Sequence, residues 1–176
     1  MERFYIQTKR LIITEADESM AESIHENSLD KDTRRFVPDE VFETAEEAAQ
    51  IIRSITEWYK QVRAPLVYPV ILESGENIGY VQLVPYNISE WEIGYHIAEK
   101  YTGNGYASEA AAAFLPVIAE KLKIGRIAGV CLQENAASRA VLEKCGFILE
   151  YEGKGSYNGR IRNICRYSYY VKRKEV

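Results

Sequence analysis

Short runs of β-branched and aromatic residues alternate along the chain with longer segments whose apolar residues recur every three or four positions. Runs of the first kind predict strands, and segments of the second kind predict helices. Strands are predicted over 10–14, 66–72, 78–84, 90–97, 126–132, 147–153 and 160–171. Helices are predicted over 17–28, 44–62, 107–123 and 135–145. The order β-α-α-βββ-α-β-α-ββ indicates one mixed α/β domain over residues 1–176.

Capping and turn residues mark several ends of these elements. Asn135 is placed to cap the start of the last helix, and Gly146 is placed just after its end. Asn158-Gly159 predicts a tight hairpin turn between the last two strands. Pro116 lies inside the helix predicted over 107–123, and it should kink or split that helix because it removes one backbone hydrogen bond.

Composition and charge narrow the class of protein. The chain has 176 residues, 47% of them hydrophobic and 27% charged, with a net charge of −4. This balance suits a globular domain with a substantial core and lacks the basic footprint of a nucleic-acid binder. No apolar run reaches the roughly 18 residues that span a membrane, and the first residues do not form a signal peptide. We therefore expect a cytoplasmic protein with neither a membrane nor a nucleic acid as partner.

The metal-binding and redox residue types are few and scattered. Cys131, Cys145 and Cys165 form no CxxC pair, which predicts free buried thiols in a reducing compartment. The two histidines lack the spacing of metal ligands, so no metal site is expected. The basic end at 172–174 is interpreted as a solvated tail.

The most informative stretch connects the strand predicted over 90–97 to the helix predicted over 107–123. It reads Tyr101-Thr102-Gly103-Asn104-Gly105-Tyr106-Ala107-Ser108. Glycines at such a junction let the backbone approach a ligand closely, and the N–H groups of the first helical turn are available to bind it. With the helix dipole, these groups predict an anion site suited to a phosphate or pyrophosphate.

Three segments in one order carry a family resemblance. They are the strand Trp91-Glu92-Ile93-Gly94-Tyr95-His96-Ile97, the glycine turn with its helix, and the stretch from Asn135 to Phe147. Together with the opening Arg10-Leu11-Ile12-Ile13, they resemble the GNAT superfamily of acetyl-CoA-dependent N-acetyltransferases, and most closely its ribosomal-protein N-terminal branch. The resemblance covers about residues 7 to 170. It implies a central, mostly antiparallel, twisted sheet of about seven strands that is flanked by helices and splayed at the cofactor site.

The resemblance also implies that acetyl-CoA is the co-substrate and that backbone groups supply much of its site. The family's pyrophosphate loop, Q/R-x-x-G-x-G/A, corresponds to residues 102–107, with Thr102 in place of Gln or Arg. Gly94 is expected to form a bulge in the preceding strand. The residues expected to contact the cofactor are Ile97, Ala98, Thr102, Gly103, Asn104, Gly105, Tyr106, Ala107, Ser108, Asn135 and Ser138.

The implied reaction is direct attack of a primary amine on the thioester carbonyl, which requires a group that accepts the proton of the amine. Glu92 is the first candidate, because alternate residues of a strand share a face and Glu92 lies opposite the predicted core residues Ile93 and Tyr95. Partial burial there would raise its pKa and suit it to this role. His96, on the same face, is a second candidate, and a chain of water molecules is a third.

The leaving thiolate requires a hydrogen-bond or proton donor. Many GNAT members carry a tyrosine seven residues after the position of Asn135, where this chain has Leu142. The ribosomal branch carries a serine three residues after that position, and this chain has Ser138 there. Ser138 is therefore the candidate donor to the thiolate. Asn135 is expected to contact pantetheine in addition to capping its helix.

The sequence does not identify the amine that accepts the acetyl group. The serine and the strand glutamate favour a peptide or protein N-terminus, and a small amine such as a polyamine, amino acid or aminoglycoside is the alternative. A non-catalytic acyl-CoA-binding module is a third hypothesis, because Thr102 and Leu142 depart from the family pattern. In the family, the region corresponding to 30–42 lines the acceptor groove. The relatives are monomers or dimers, so a homodimer is one of two expected states.

Overall fold

The computed structural model describes residues 3–171, and the basic end at 172–174 lies outside that range. Within it the chain forms eight strands and five helices. The strands are β1 (Tyr5–Gln7), β2 (Leu11–Thr14), β3 (Leu66–Leu72), β4 (Asn77–Pro85), β5 (Trp91–Ile97), β6 (Arg126–Leu132), β7 (Ile148–Tyr157) and β8 (Arg160–Tyr170). The helices are α1 (Ala21–Ser28), α2 (Lys31–Phe36), α3 (Ala45–Trp58), α4 (Tyr106–Leu122) and α5 (Ala136–Lys144).

All eight strands join one sheet in the order β1-β2-β3-β4-β5-β6-β8-β7. Every neighbouring pair is antiparallel except β5 and β6, which are parallel and are connected through α4. The predicted fold class, a mostly antiparallel sheet flanked by helices, is confirmed. The sequence missed β1, whose three residues pair with β2 but are too short to show an alternating pattern.

The two parallel strands separate almost at once. β5 and β6 share a single registered pair, Glu92 with Ala128, and no further pair joins them. The sheet is therefore splayed there, as the resemblance implied. On its other side β5 pairs with β4 without interruption from Ile97 to Trp91, so the predicted bulge at Gly94 is wrong. Glycine serves a different purpose at this position, because a methyl group there would lie 2.7 Å from Nε2 of Gln82.

The larger of the two hydrophobic clusters lies between the sheet and α4. Phe114, Leu115 and Ile118 of α4 are buried against it, and Tyr68 of β3 stacks on Phe4 with ring centroids 4.0 Å apart. Of the two predicted effects of Pro116, the split does not occur, because α4 is one unbroken helix, and the kink stays a prediction. Both Pro116 and the residue whose carbonyl it leaves unbonded, Ala112, are exposed, so water can hydrate that carbonyl.

The segment 30–42 folds over the splayed part of the sheet. It contains α2, which the sequence did not predict, and a short 3₁₀ turn, Pro38–Glu40. Thr33 Oγ1 lies 2.8 Å from His96 Nε2, and Gln82 donates a hydrogen bond of 3.0 Å to Glu40 Oε1. These contacts fix α2 above β5 and the 3₁₀ turn above β4.

The predicted helix cap and hairpin turn are confirmed. The side chain of Asn135 accepts a hydrogen bond from the backbone N–H of Ser138, as a helix cap does. Asn158 and Gly159 both have positive φ values, 49° and 72°, as a tight hairpin turn of this type requires. The three cysteines are free, with two buried and Cys145 half-buried. Among residues 3–171, no helix is both long and apolar enough to cross a membrane.

Candidate functional site

A cavity of about 630 Å³ occupies the opening between β5 and β6. Strands β3, β4 and β5 line one side, and α5 lines the other. The segment 30–42 and the end of the β7–β8 hairpin close it above. Among the residues predicted to bind the cofactor, those that line the cavity are Ile97, Thr102, Ala107, Asn135 and Ser138.

The glycine turn has the backbone shape that an anion site needs. Gly103 and Gly105 adopt left-handed conformations with φ of 79° and 78°, and Gly105 is the N-cap of α4. The N–H groups of Tyr106 and Ala107 in the first turn have no intrahelical acceptor, and the N-cap residue has no side chain to supply one. A Cβ atom would meet nothing within 4 Å at Gly103. The turn therefore fits a phosphate group, which three or four backbone N–H groups could bind.

The polar side chains of the turn face inward. Thr102 donates from Oγ1 to the carbonyl of Glu99 at 2.8 Å. Asn104 donates to the carbonyls of Tyr101 and Thr102 at 3.0 and 3.1 Å. These hydrogen bonds hold the shape of the turn, and the expected contacts of Thr102 and Asn104 with the cofactor stay predictions.

The backbone of Ala98 is also engaged within the protein. Its N–H donates to the carbonyl of Ile78 at 2.9 Å, and its carbonyl accepts from the N–H of Tyr101 at 2.8 Å. Ala98 is buried and does not line the cavity. Ile97 and Ala98 are both predicted to contact the cofactor, and of these two neighbours only Ile97 lines the cavity.

Arg10 places a positive charge beside the glycine turn. Its guanidinium lies 4.5 Å from the ring centroid of Tyr106 and forms an ion pair of 2.6 Å with Glu109 of α4. One of its nitrogens would be 3.8 Å from a Cβ atom at Gly105. Arg10 has a place in a predicted strand and in the family resemblance, but the sequence predicted no role for it at the turn, because nothing local indicated that the residue before β2 would lie next to α4.

Glu92 lines the cavity from β5. Burial raises the pKa of its carboxyl group to about 7, against the opposing effects of a backbone hydrogen bond from Val130 and the charge of Arg166. A carboxyl group with this pKa can accept a proton near neutral pH and release it again. The burial and the raised pKa expected from the strand pattern are both present.

His96, the second candidate base, makes its polar contacts with α2 and the residue before it. Its Nε2 lies 2.8 Å from Thr33 Oγ1 and 3.9 Å from Asp30 Oδ2. Burial lowers the pKa of the imidazole, although Asp30 and Asp32 oppose this shift. His96 is thus a neutral side chain that fixes the segment 30–42 on the sheet, and Glu92 stays the first candidate for the base.

Ser138 is joined to a residue that sequence reasoning assigned to the core. The hydroxyl of Tyr95 donates to the carbonyl of Ser138 at 2.9 Å and lies 3.0 Å from its Oγ. Burial raises the pKa of Tyr95, so its phenol is protonated. Leu142, the position where many relatives have tyrosine, is buried. Two hydroxyl groups, those of Tyr95 and Ser138, therefore meet on the α5 side of the cavity.

Alternation along β5 could not reveal Tyr95 as a site residue. It shares a face with Ile93 and Ile97, which are buried as predicted. At the splay, however, α5 approaches this face and leaves part of it open to the cavity. The missing information was the position of α5, which no local pattern contains.

The upper end of the cavity is formed by the segment 30–42. Asp39 and Glu40 line it, whereas Arg34 and Arg35 form ion pairs with Glu43 and Glu134 outside it. The hairpin contributes Tyr157 and Asn158 to the same end. Within residues 3–171, no group of three or more metal-ligating side chains comes together.

Comparisons with known proteins identify the family. The model of the acetyltransferase (GNAT) domain matches residues 10–148. The chain therefore belongs to the GNAT acetyltransferases. It is an acetyl-CoA-dependent N-acetyltransferase, as the resemblance predicted, and acetyl-CoA supplies the acetyl group as a thioester.

One sequence relative and two solved structures show how far the likeness extends. The chain is 32% identical over 144 residues to YnaD of Bacillus subtilis strain 168, an uncharacterized N-acetyltransferase, and the match covers 81% of each chain. It resembles a GNAT-family acetyltransferase from Bacillus anthracis with a TM-score of 0.80 and 27% identity over 95% of this chain and 98% of that one. It also shares the fold of RimL, a ribosomal L7/L12 α-N-protein acetyltransferase in complex with CoA. That TM-score is 0.81, with 21% identity over 96% and 98% of the two chains.

Proposed function

We propose that this enzyme transfers the acetyl group of acetyl-CoA to the N-terminal amine of a peptide or protein, by direct attack of that amine. The observation that carries the proposal is the arrangement of the cavity between β5 and β6. A carboxyl group with a pKa of about 7 lines it from the sheet, and a pair of hydroxyl groups, from Tyr95 of β5 and Ser138 of α5, lines it beside α5. These are the groups that the two proton transfers of the reaction need.

Glu92 is assigned to the acceptor amine. An amine attacks only through its lone pair, so an ammonium group must first lose a proton. The ionised carboxylate of Glu92 accepts that proton directly or through one water molecule. Because its pKa is near 7, the group is ionised in an adequate fraction of molecules and is still basic enough to accept the proton.

Ser138 and Tyr95 are assigned to the leaving sulfur. When the carbon–sulfur bond breaks, negative charge develops on the thiolate, and a hydrogen bond to that charge lowers the barrier. Ser138 Oγ can donate this bond when the single phenol proton of Tyr95, which is within reach of both the carbonyl and Oγ of Ser138, points to Oγ. Asn135 fixes the position of Ser138 by accepting from its backbone N–H at 3.0 Å.

The choice of an N-terminal amine rests on two supports. Ser138 stands at the position where the ribosomal branch carries its serine. RimL, which acts on the ribosomal protein L7/L12 at its N-terminus, shares the fold over nearly the whole chain. A small amine is the second candidate, because the cavity is lined by several carboxylates and is partly closed by the segment 30–42.

An acceptor screen tests the proposal. The purified enzyme would be given acetyl-CoA and peptides with free N-termini, the same peptides with blocked N-termini, and small amines. Released thiol would be measured, and the acetylated atom would be located by mass spectrometry. We expect turnover that disappears when the N-terminus is blocked. Turnover confined to small amines would support the second candidate instead, and acetylation of lysine side chains in blocked peptides would overturn the assignment.

A further inference from the structure

One carboxyl group in the cavity has no place in the mechanism above. Glu40, at the end of the turn Pro38–Glu40, lines the cavity together with Glu92. Its Oε1 accepts a hydrogen bond from Gln82, but its Oε2 is shielded from solvent and has no hydrogen-bond partner among residues 3–171. A buried carboxylate oxygen without a partner is costly, so such an atom calls for an explanation.

The surroundings of Glu40 are built to hold it there. The side chain of Gln82 occupies the space left by the missing Cβ of Gly94, and from there it reaches Glu40. Burial raises the pKa of Glu40, the hydrogen bond from Gln82 opposes this shift, and the charge of Asp39 adds to it. No basic side chain within residues 3–171 forms an ion pair with Glu40, so a structural salt bridge does not account for its position.

The charged side chains that line the cavity are mainly negative. Six carboxyl side chains line it, and no lysine or arginine does so within the part of the chain that the structure describes. The six are Asp30, Asp32, Asp39, Glu40, Glu92 and Glu99. Low-dielectric walls of one charge concentrate ligands of the opposite charge. A cavity of this kind favours an acceptor that carries a second positive charge besides that of the reacting amine.

We propose that Glu40 binds a second positively charged group of the acceptor, so that the preferred substrates carry a cation near the amine that is acetylated. This inference rests on the proposed transfer to an amine and adds a charge requirement to it. The terminal torsion of a glutamate is soft, so the carboxyl group can turn Oε2 toward a ligand at small cost. A lysine side chain next to a peptide N-terminus and the far end of a diamine both offer this chemistry.

Two pairs of matched acceptors test the inference and separate these two sources. The first pair is a seryl-lysyl and a seryl-norleucyl peptide amide, and the second is 1,4-diaminobutane and butylamine. Each pair differs in one charge and little in shape. We expect kcat/KM to be about tenfold higher for the charged member of at least one pair, since a hydrogen bond between charged groups contributes about that factor. A ratio in the peptide pair identifies the lysine side chain as the preferred cation, and a ratio in the alkylamine pair identifies the far end of the diamine.

Glu40→Gln should reduce this ratio to about one and leave the rate with the neutral acceptor unchanged. Glu43→Gln is the matched control: it removes one negative charge from a residue that pairs with Arg34 outside the cavity. That variant should keep the ratio. Acetyl-CoA affinity, measured by calorimetry, would show that both variants are folded.

The outcomes separate the inference from the proposed function. Equal rates within both pairs, or a ratio that persists in Glu40→Gln, would overturn the role of Glu40 while acetyl transfer to amines stands. A Glu40→Gln variant that loses the same factor with charged and neutral acceptors would also overturn it. No turnover of any of the four acceptors by an enzyme that binds acetyl-CoA would contradict the proposed function itself.

Discussion

The two ends of the cavity are made in different ways. The donor end, where the glycine turn lies, consists mainly of backbone groups, because Gly103 and Gly105 present N–H groups and the polar side chains of the turn face inward. The acceptor end consists of side chains from distant parts of the chain, such as Glu40 and Gln82. Glu92 and Ser138 lie between them.

Because of this difference, substitutions at the two ends have different consequences. A backbone site depends on conformation, so it binds the same group in every relative that keeps the turn. A side-chain site can change its ligand through one substitution. The comparison therefore predicts that substitutions at the donor end affect acetyl-CoA binding, and that substitutions at the acceptor end affect only the choice and affinity of the amine.

Gly105→Glu should have the largest effect. It places a carboxylate where the turn is expected to hold a phosphate, and like charges held side by side in a complex cost several kcal/mol. We expect the affinity for acetyl-CoA to fall roughly 100-fold or more, as measured by calorimetry. Gly105→Gln is the matched control, because it brings the same backbone strain and nearly the same size without the charge. Equal losses in the two variants would place the phosphate elsewhere.

Glu92→Gln should have the next largest effect, confined to turnover. Loss of a general base lowers kcat by roughly 100-fold, and the affinity for acetyl-CoA should stay unchanged. Glu92 must be ionised to accept a proton, so the wild-type kcat/KM should rise with pH through a midpoint of about 7. This rise should be absent in the variant. A rise that survives the substitution would assign the proton to another group or to water.

The pH dependence of the free energy of unfolding gives an independent test of the pKa of Glu92 in the same variant. The pKa of Glu92 in the folded protein, about 7, lies above its ordinary value of 4.5. The folded state therefore holds more protons between these values, and stability is lost as the pH rises from about 4.5 through 7. Glu92→Gln removes that loss, so the variant should be more stable at pH 8, by about 1–3 kcal/mol in denaturant unfolding. Lower stability would indicate that the carboxylate supports the fold.

The same contrast explains what the sequence could predict. The glycine turn and the capped helix with Asn135 and Ser138 are local, since the residues that build each feature lie within a few positions. The pairing of Tyr95 with Ser138 spans 43 residues, and that of Glu40 with Gln82 spans 42. No periodic pattern links residues so far apart, because their contact depends on how α5 and the segment 30–42 pack on the sheet.

Tyr95→Phe and Ser138→Ala test whether the hydroxyl pair acts as a unit. Each should lower kcat by about tenfold and change the affinity for acetyl-CoA little, because the donated hydrogen bond matters most when charge develops on sulfur. The double variant should be no slower than the slower single variant, since each substitution disables the same donor. Steady-state kinetics would measure this. Independent, multiplying losses would show that Tyr95 and Ser138 serve separate steps.

Gly94→Ala should have the smallest effect and tests the acceptor end alone. The new methyl group would lie 2.7 Å from Nε2 and 2.8 Å from Cγ of Gln82, so this flexible side chain must move and its bond to Glu40 should break. We expect the KM of a charged acceptor to rise about fivefold, the cost of roughly 1 kcal/mol for a displaced side chain. The affinity for acetyl-CoA should stay the same.

A Gln82→Ala background makes this last prediction sharper. Truncation of Gln82 removes the three atoms nearest to the methyl group at position 94, so Gly94→Ala should add little to the acceptor KM in this background. An additional loss in that background would mean that the methyl group disturbs β5 itself. Weaker acetyl-CoA binding in either background would show that the two ends of the cavity are coupled through β5. In that case a change at the acceptor end could not alter the choice of amine without also affecting the donor.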